Sequence, residues 1–196
     1  MGAERTTSDG TERTMEQVRA AQLVSVPKPG LFSFPNPVNE LAARSVAAGV
    51  VALSGLTLVL SLFVGEGWLW LSVLLAYGFI ARVAAGPTFS PLGQLATRVI
   101  APRLGPARLT PGPPKRFAQA IGAVVTSAAV VLTALGLAGP AQVLLAMMVV
   151  FAGLESALGF CVGCRIFAVL MRVGLIPESV CGACADISRR PRTAAV

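Results

Sequence analysis

Apolar residues run along this chain in four long stretches, at residues 45–64, 68–86, 118–138 and 141–160. Each is close to the roughly 20 residues that a helix needs to cross a bilayer. The first and third stretches carry no charge; the second carries Arg82 and the fourth Glu155. Very short turns, Gly65-Glu66-Gly67 and Gly139-Pro140, join the first stretch to the second and the third to the fourth, so the spans pair as two helical hairpins. Trp68 and Trp70 mark an interface, where indole rings prefer to lie. Asn39 is placed to cap the first helix.

An amphipathic stretch follows each hairpin. Residues 91–101 place Leu92, Leu95, Val99 and Ile100 on one helical face, and residues 165–176 offer Ile166, Phe167, Val169, Leu170 and Val173. Such stretches suit the headgroup region. The pattern predicts an all-α integral membrane protein: four transmembrane helices in two tandem hairpins, each followed by an interfacial helix. Gly65 and Gly139 fall at equivalent turns, and both halves enter from the same side, which reads as a parallel repeat about the membrane normal. The repeat places Arg82 and Glu155 at matching depths, about 21 Å from the outer surface at ~1.5 Å per residue. Charges inside a bilayer are costly and usually paired. A structural ion pair between the halves is therefore expected for Arg82 and Glu155.

Residues 1–35 are polar and mixed in charge, with no apolar run, and read as a disordered cytosolic tail rather than a signal peptide. Residues 36–176 form the membrane domain, and 177–196 a cytosolic tail. Composition agrees: the chain is 55% hydrophobic and 13% charged, with a mean hydropathy of +0.74. There is no histidine, so the commonest general base and metal ligand is missing. The formal charge is +7, but the basic residues flank apolar stretches, and their loops lack aromatic stacking residues. Contact with anionic lipid explains them better than nucleic acid does. Lys28 and Arg44, the group Arg98, Arg103, Arg108, Lys115 and Arg116, and the group from Arg165 to Arg192 all fall on one side of a four-span protein. The tight turns hold no Lys or Arg. Both termini are thus expected in the cytosol of a bacterial inner membrane.

The only four cysteines form two pairs, Cys161-Val-Gly-Cys164 and Cys181-Gly-Ala-Cys184. The C-x2-C-x16-C-x2-C spacing matches a four-thiolate zinc site. Geometry leaves that site little room. A helix over residues 165–175 separates its ends by about 16 Å, and the return through residues 176–180 spans at most ~17 Å. The redox reading needs less, because each CxxC can act as its own dithiol. Zinc and thiol chemistry both remain open at this point.

The run Asn36-Pro-Val-Asn-Glu40, Arg44, the stretch Arg116-Phe-Ala-Gln-Ala-Ile-Gly122 and the element Gly159-Phe-Cys-Val-Gly-Cys164 resemble the bacterial membrane-protein family called domain of unknown function 4395. The resemblance covers roughly residues 35–186. It carries no established activity. Family members are often encoded near thioredoxin-like and rhodanese-type proteins, which implies a thiol or sulfur role and partners of those kinds. Gly159-Phe-Cys161 is also similar to the Gly-Phe-Cys-Pro element of a two-helix membrane domain attached to some rhodaneses; here Val162 replaces the proline and Cys164 an aromatic residue. The reading is a non-catalytic or accessory membrane component of thiol or sulfur metabolism working through Cys161, Cys164, Cys181 and Cys184. A zinc-binding scaffold and a small-solute transporter are the alternatives.

Overall fold

The computed structural model describes residues 34–181; the N-terminal tail, Cys184 and the basic C-terminal end lie outside them. The described chain is mostly helical. Helix α1 spans Glu40–Phe63, and Asn39 caps it, its side-chain oxygen accepting from the Leu41 N–H at 3.1 Å. The second span opens with a 3-10 segment, Glu66–Leu71, and continues as α2, Ser72–Ala85. The third is α5, Gly112–Ala134, and the fourth α6, Ala138–Leu158. All four are long and apolar enough to cross a membrane.

Two boundaries differ from the expectation. Helix α5 begins at Gly112 rather than near 118, because Pro113 and Pro114 fall in its first turn, where proline costs no hydrogen bond. Lys115 is thereby drawn into the helix. The second tight turn is centred on Gly136, at φ 72°, whereas Gly139 and Pro140 lie within the first turn of α6. A two-stranded ladder also escaped the all-α reading: β1, Val38–Asn39, pairs antiparallel with β2, Leu109–Thr110. It ties the lead-in to the central connection, and the Asn36 side chain accepts from the Gly112 N–H at 3.0 Å.

The central connection holds α3, Pro91–Leu95, a π-helical turn, Ala96–Ile100, and α4, Ala101–Leu104. Pro102 has no N–H to offer the carbonyl of Arg98, and the chain widens just before it. This widening changes which face packs. The buried positions are the small Gly93, Ala96 and Ala101, while Leu95 and Val99 are exposed. The expected apolar face of Leu92, Leu95, Val99 and Ile100 is therefore not the packed face; of its members, Leu92 packs against the core.

Packing runs mainly between the two halves of the chain. Helix α1 lies along α6, α2 along α5, and α5 also against α6. The core gathers Val46, Val50, Leu75, Phe79, Leu145 and Met148. Polarity is partly inverted. Ser54, Thr57, Ser61 and Thr126 are buried, while Leu62, Phe63, Val124 and Val143 face outward. These four hydroxyls donate to their own helices, as Ser54 does to the Val50 carbonyl at 2.6 Å and Thr126 to that of Gly122 at 2.7 Å. Small residues between helices and apolar ones outside are what lipid surroundings favour. The halves are also joined by two matching contacts. Arg44 on α1 donates to the Ser156 and Ala157 carbonyls at the end of α6. Arg116 on α5 donates to the Val83 carbonyl near the end of α2, at 3.1 Å. Each puts a cation at the negative end of a helix dipole.

Candidate dithiol site

Helix α6 stops and α7, Val162–Arg172, starts with almost no loop between them. Gly159 adopts the left-handed conformation at φ 66°, its N–H bonding to the Glu155 carbonyl, and the Phe160 N–H returns to that of Leu154 at 3.1 Å. This helix stop needs a residue that pays little for positive φ, which glycine is. Cys161 follows in extended backbone as the N-cap of α7, its sulfur accepting from the Cys164 N–H at 3.3 Å. Between them, Gly163 lies against α5. A Cβ on Gly163 would fall 2.6 Å from the Ala118 Cβ and 2.7 Å from its Cα, so only glycine permits this approach. Buried Phe167 fastens the helix through the Phe117 ring, with centroids 5.6 Å apart.

Cys161 is buried, Cys164 is half-buried, and both are free thiols. Their environments push them apart. A hydrogen bond from the Cys164 thiol is the main influence lowering the Cys161 pKa; burial and Glu155 oppose it, while Lys115 and the Cys164 backbone N–H assist. Cys164 is raised well above the usual thiol value, first by giving that hydrogen bond and then by burial. Cys161 is the thiolate-forming member and Cys164 the proton-retaining one.

The Lys115 Nζ sits 2.6 Å from Glu155 Oε1, with only 10% and 17% of the two side chains exposed. Glu155 and Cys161 line one cavity of about 90 Å³, walled by Phe79, Met148 and Phe151 with Gln119 as a further polar group. The expected Arg82–Glu155 pair does not form. The Arg82 Nε donates to Gln119 Oε1 at 2.8 Å and its Nη1 to the Ser90 hydroxyl at 3.1 Å, and the guanidinium lies 4.5 Å from the centre of the Phe79 ring. Lys115 displaces it as Glu155's partner because the early start of α5 puts an ammonium inside the bundle.

The second cysteine pair is only half described. Cys181 is buried and disulfide-bonded, and Cys184 lies outside the described residues. Cys161 and Cys164 could give a metal two thiolates; among the described residues no group of three or more His, Cys, Asp or Glu side chains is placed to hold an ion. Lys115, Gln119 and Ser90 were not legible as site residues. One signal did point to the first two. Gly112, Lys115, Gln119, Gly122, Thr126 and Ala129 recur at alternating steps of three and four, the spacing of one helix face.

Four apolar, bilayer-length helices with a dithiol at the end of the last define a helical protein with four candidate membrane spans. The chain matches the family described as a domain of unknown function (DUF4395) over residues 38–172, and it belongs to that family. No curated protein and no solved structure matches it.

Proposed function

We propose that this protein is an accessory component of thiol or sulfur metabolism in a bacterial inner membrane, acting through Cys161 and Cys164 on the cytosolic face. The observation that carries this reading is the asymmetric placing of the two thiols: Cys161 caps α7 at the wall of a cavity, its sulfur accepting the Cys164 N–H, which favours the thiolate at Cys161 and the proton at Cys164. That is the division of labour that dithiol exchange requires. The Cys161 thiolate attacks a disulfide of a thioredoxin-like or rhodanese-type partner, forming a mixed disulfide and releasing one partner thiolate. Cys164 then gives its proton to water and attacks the Cys161 sulfur. The Cys161–Cys164 disulfide forms and the second partner thiolate leaves. The partner gains two electrons and the pair loses two; in the reverse direction a partner dithiol reduces the pair. A Cys164→Ser variant should halt at the mixed disulfide, which mass spectrometry of the purified complex would identify. One equivalent of bound zinc per chain, lost on any single Cys→Ser change, would replace this reading with the zinc scaffold.

Membrane placement belongs to the same proposal. The basic residues put the 36–39 lead-in, the central connection and the CxxC pair on the cytosolic side, with both hairpin turns outside. Arg44 and Arg116 make corresponding contacts, which supports a parallel two-fold repeat of hairpin plus interfacial helix. On α7, Ile166 and Val169 are exposed, as insertion among headgroups requires. Cysteines introduced at Glu66 and Pro140, with the native four replaced, should react in intact cells with an impermeant thiol reagent. Labelling at Arg108 in their place would invert the orientation.

A further inference from the structure

Arg82 is a buried cation with no anion in contact among the described residues. Only 5% of it is exposed. Its hydrogen-bond partners, Gln119 and Ser90, are neutral, and so is the Phe79 ring beneath it. The Nη2 nitrogen makes no hydrogen bond with any described residue, so part of a five-donor fork is unused. Glu155 lies within electrostatic reach of it but makes no contact, because Lys115 holds that carboxylate at 2.6 Å. The two cations and one carboxylate leave one positive charge in the bundle. A guanidinium cannot relieve the cost of burial by giving up its proton, so the charge calls for a counter-ion.

The same side chain lines a cavity. Arg82, Lys115 and Gln119 meet Phe34, Pro87 and Thr97 around about 60 Å³ of space. That is several times the roughly 10–15 Å³ that a single water needs. It is a different cavity from the one lined by Cys161; Gln119 belongs to the wall of both. Thr97 both lines the cavity and is exposed, so the cavity wall reaches the protein surface there.

We propose that this cavity binds a small tetrahedral oxyanion, of the sulfate or phosphate class, on the free face of the Arg82 guanidinium, with Lys115 as the second cation. Planar guanidinium donors suit two oxygens of such an ion, and Lys115 retains two N–H groups beyond the one given to Glu155. The phosphate can belong to a free ion or to the headgroup of an anionic lipid; the chemistry is shared. The proposal does not depend on the thiols.

The test uses the purified full-length chain in detergent. Millimolar sodium sulfate and sodium phosphate are each titrated against sodium chloride at matched ionic strength, and thermal unfolding is followed. A saturable rise in Tm with either oxyanion, abolished in Arg82→Gln and weakened at least tenfold in Thr97→Trp, identifies a free-ion site. No response to the free ions, but a single anionic phospholipid retained in native mass spectra of the wild type and lost from both variants, identifies a lipid headgroup. Thr97→Trp obstructs the cavity from its surface wall without touching the Arg82 hydrogen bonds, so it decides the matter if Arg82→Gln does not fold. A response unchanged in the folded variants, or neither a response nor a retained lipid, overturns the proposal.

Discussion

Replacing Lys115 with methionine should destabilise the protein by about 3 kcal/mol, the lower end of what breaking a buried ion pair costs. The lower end applies because 10% and 17% of the two side chains remain exposed. The loss arises from the Glu155 carboxylate, left without its partner beside an apolar cavity. Glu155→Gln should act in the same direction by stranding the ammonium. The double variant should recover part of the loss, since neither charge is then left alone. Unfolding titrations in mixed micelles would give the cycle, and purely additive effects would show that the two residues do not interact. The same cycle run with Arg82→Met and Glu155→Gln should show a smaller coupling than the Lys115 cycle, because Arg82 bonds to Gln119 and Ser90 and reaches Glu155 only through space.

Gly163→Ala is expected to cost about 1–3 kcal/mol, the usual toll of forcing one extra carbon into a packed contact. The obstacle here is backbone: the added Cβ would meet the Ala118 Cα at 2.7 Å, and a helix backbone cannot swing aside as a side chain can. The start of α7 must lift from α5, which carries Cys161 and Cys164 with it and loosens their hydrogen bond. Thermal unfolding should show a lowered Tm, and Cys161 should alkylate more slowly at neutral pH. Gly153→Ala supplies the control. It lies on α6 with open space where its Cβ would go, so its variant should be neutral or slightly stabilising. Equal effects from the two substitutions would mean that the close approach at Gly163 carries no weight.

The four bilayer-length helices were legible because lipid imposes one rule along a whole span: apolar surface outside and backbone hydrogen bonds satisfied within the segment. Asn39 was legible as a cap because that chemistry is local. The pairing of charges was not, because it depends on which helix faces which and at what height. Hydropathy put Lys115 outside the third span, yet two prolines start α5 early enough to bury it. The β1–β2 ladder was hidden for a similar reason, since two-residue strands carry no periodicity. In the cysteine region the sequence showed the CxxC pattern. It did not show that Gly159 ends one helix and Cys161 begins the next, which is what sets the Cys161 sulfur against Cys164.

The asymmetry of the two thiols is the centre of the account, and the pH dependence of alkylation at each cysteine measures it most directly. Reduced full-length protein in lipid nanodiscs would be pulsed with iodoacetamide across a pH series and Cys161 and Cys164 quantified separately by mass spectrometry. Cys161 should react at lower pH than an ordinary thiol, and Cys164 only at much higher pH, following the hydrogen bond between them. In Cys164→Ala, which removes the thiol donor, the Cys161 profile should move to higher pH. Equal profiles for the two thiols, or both thiols resisting alkylation until a chelator is added, would contradict the account.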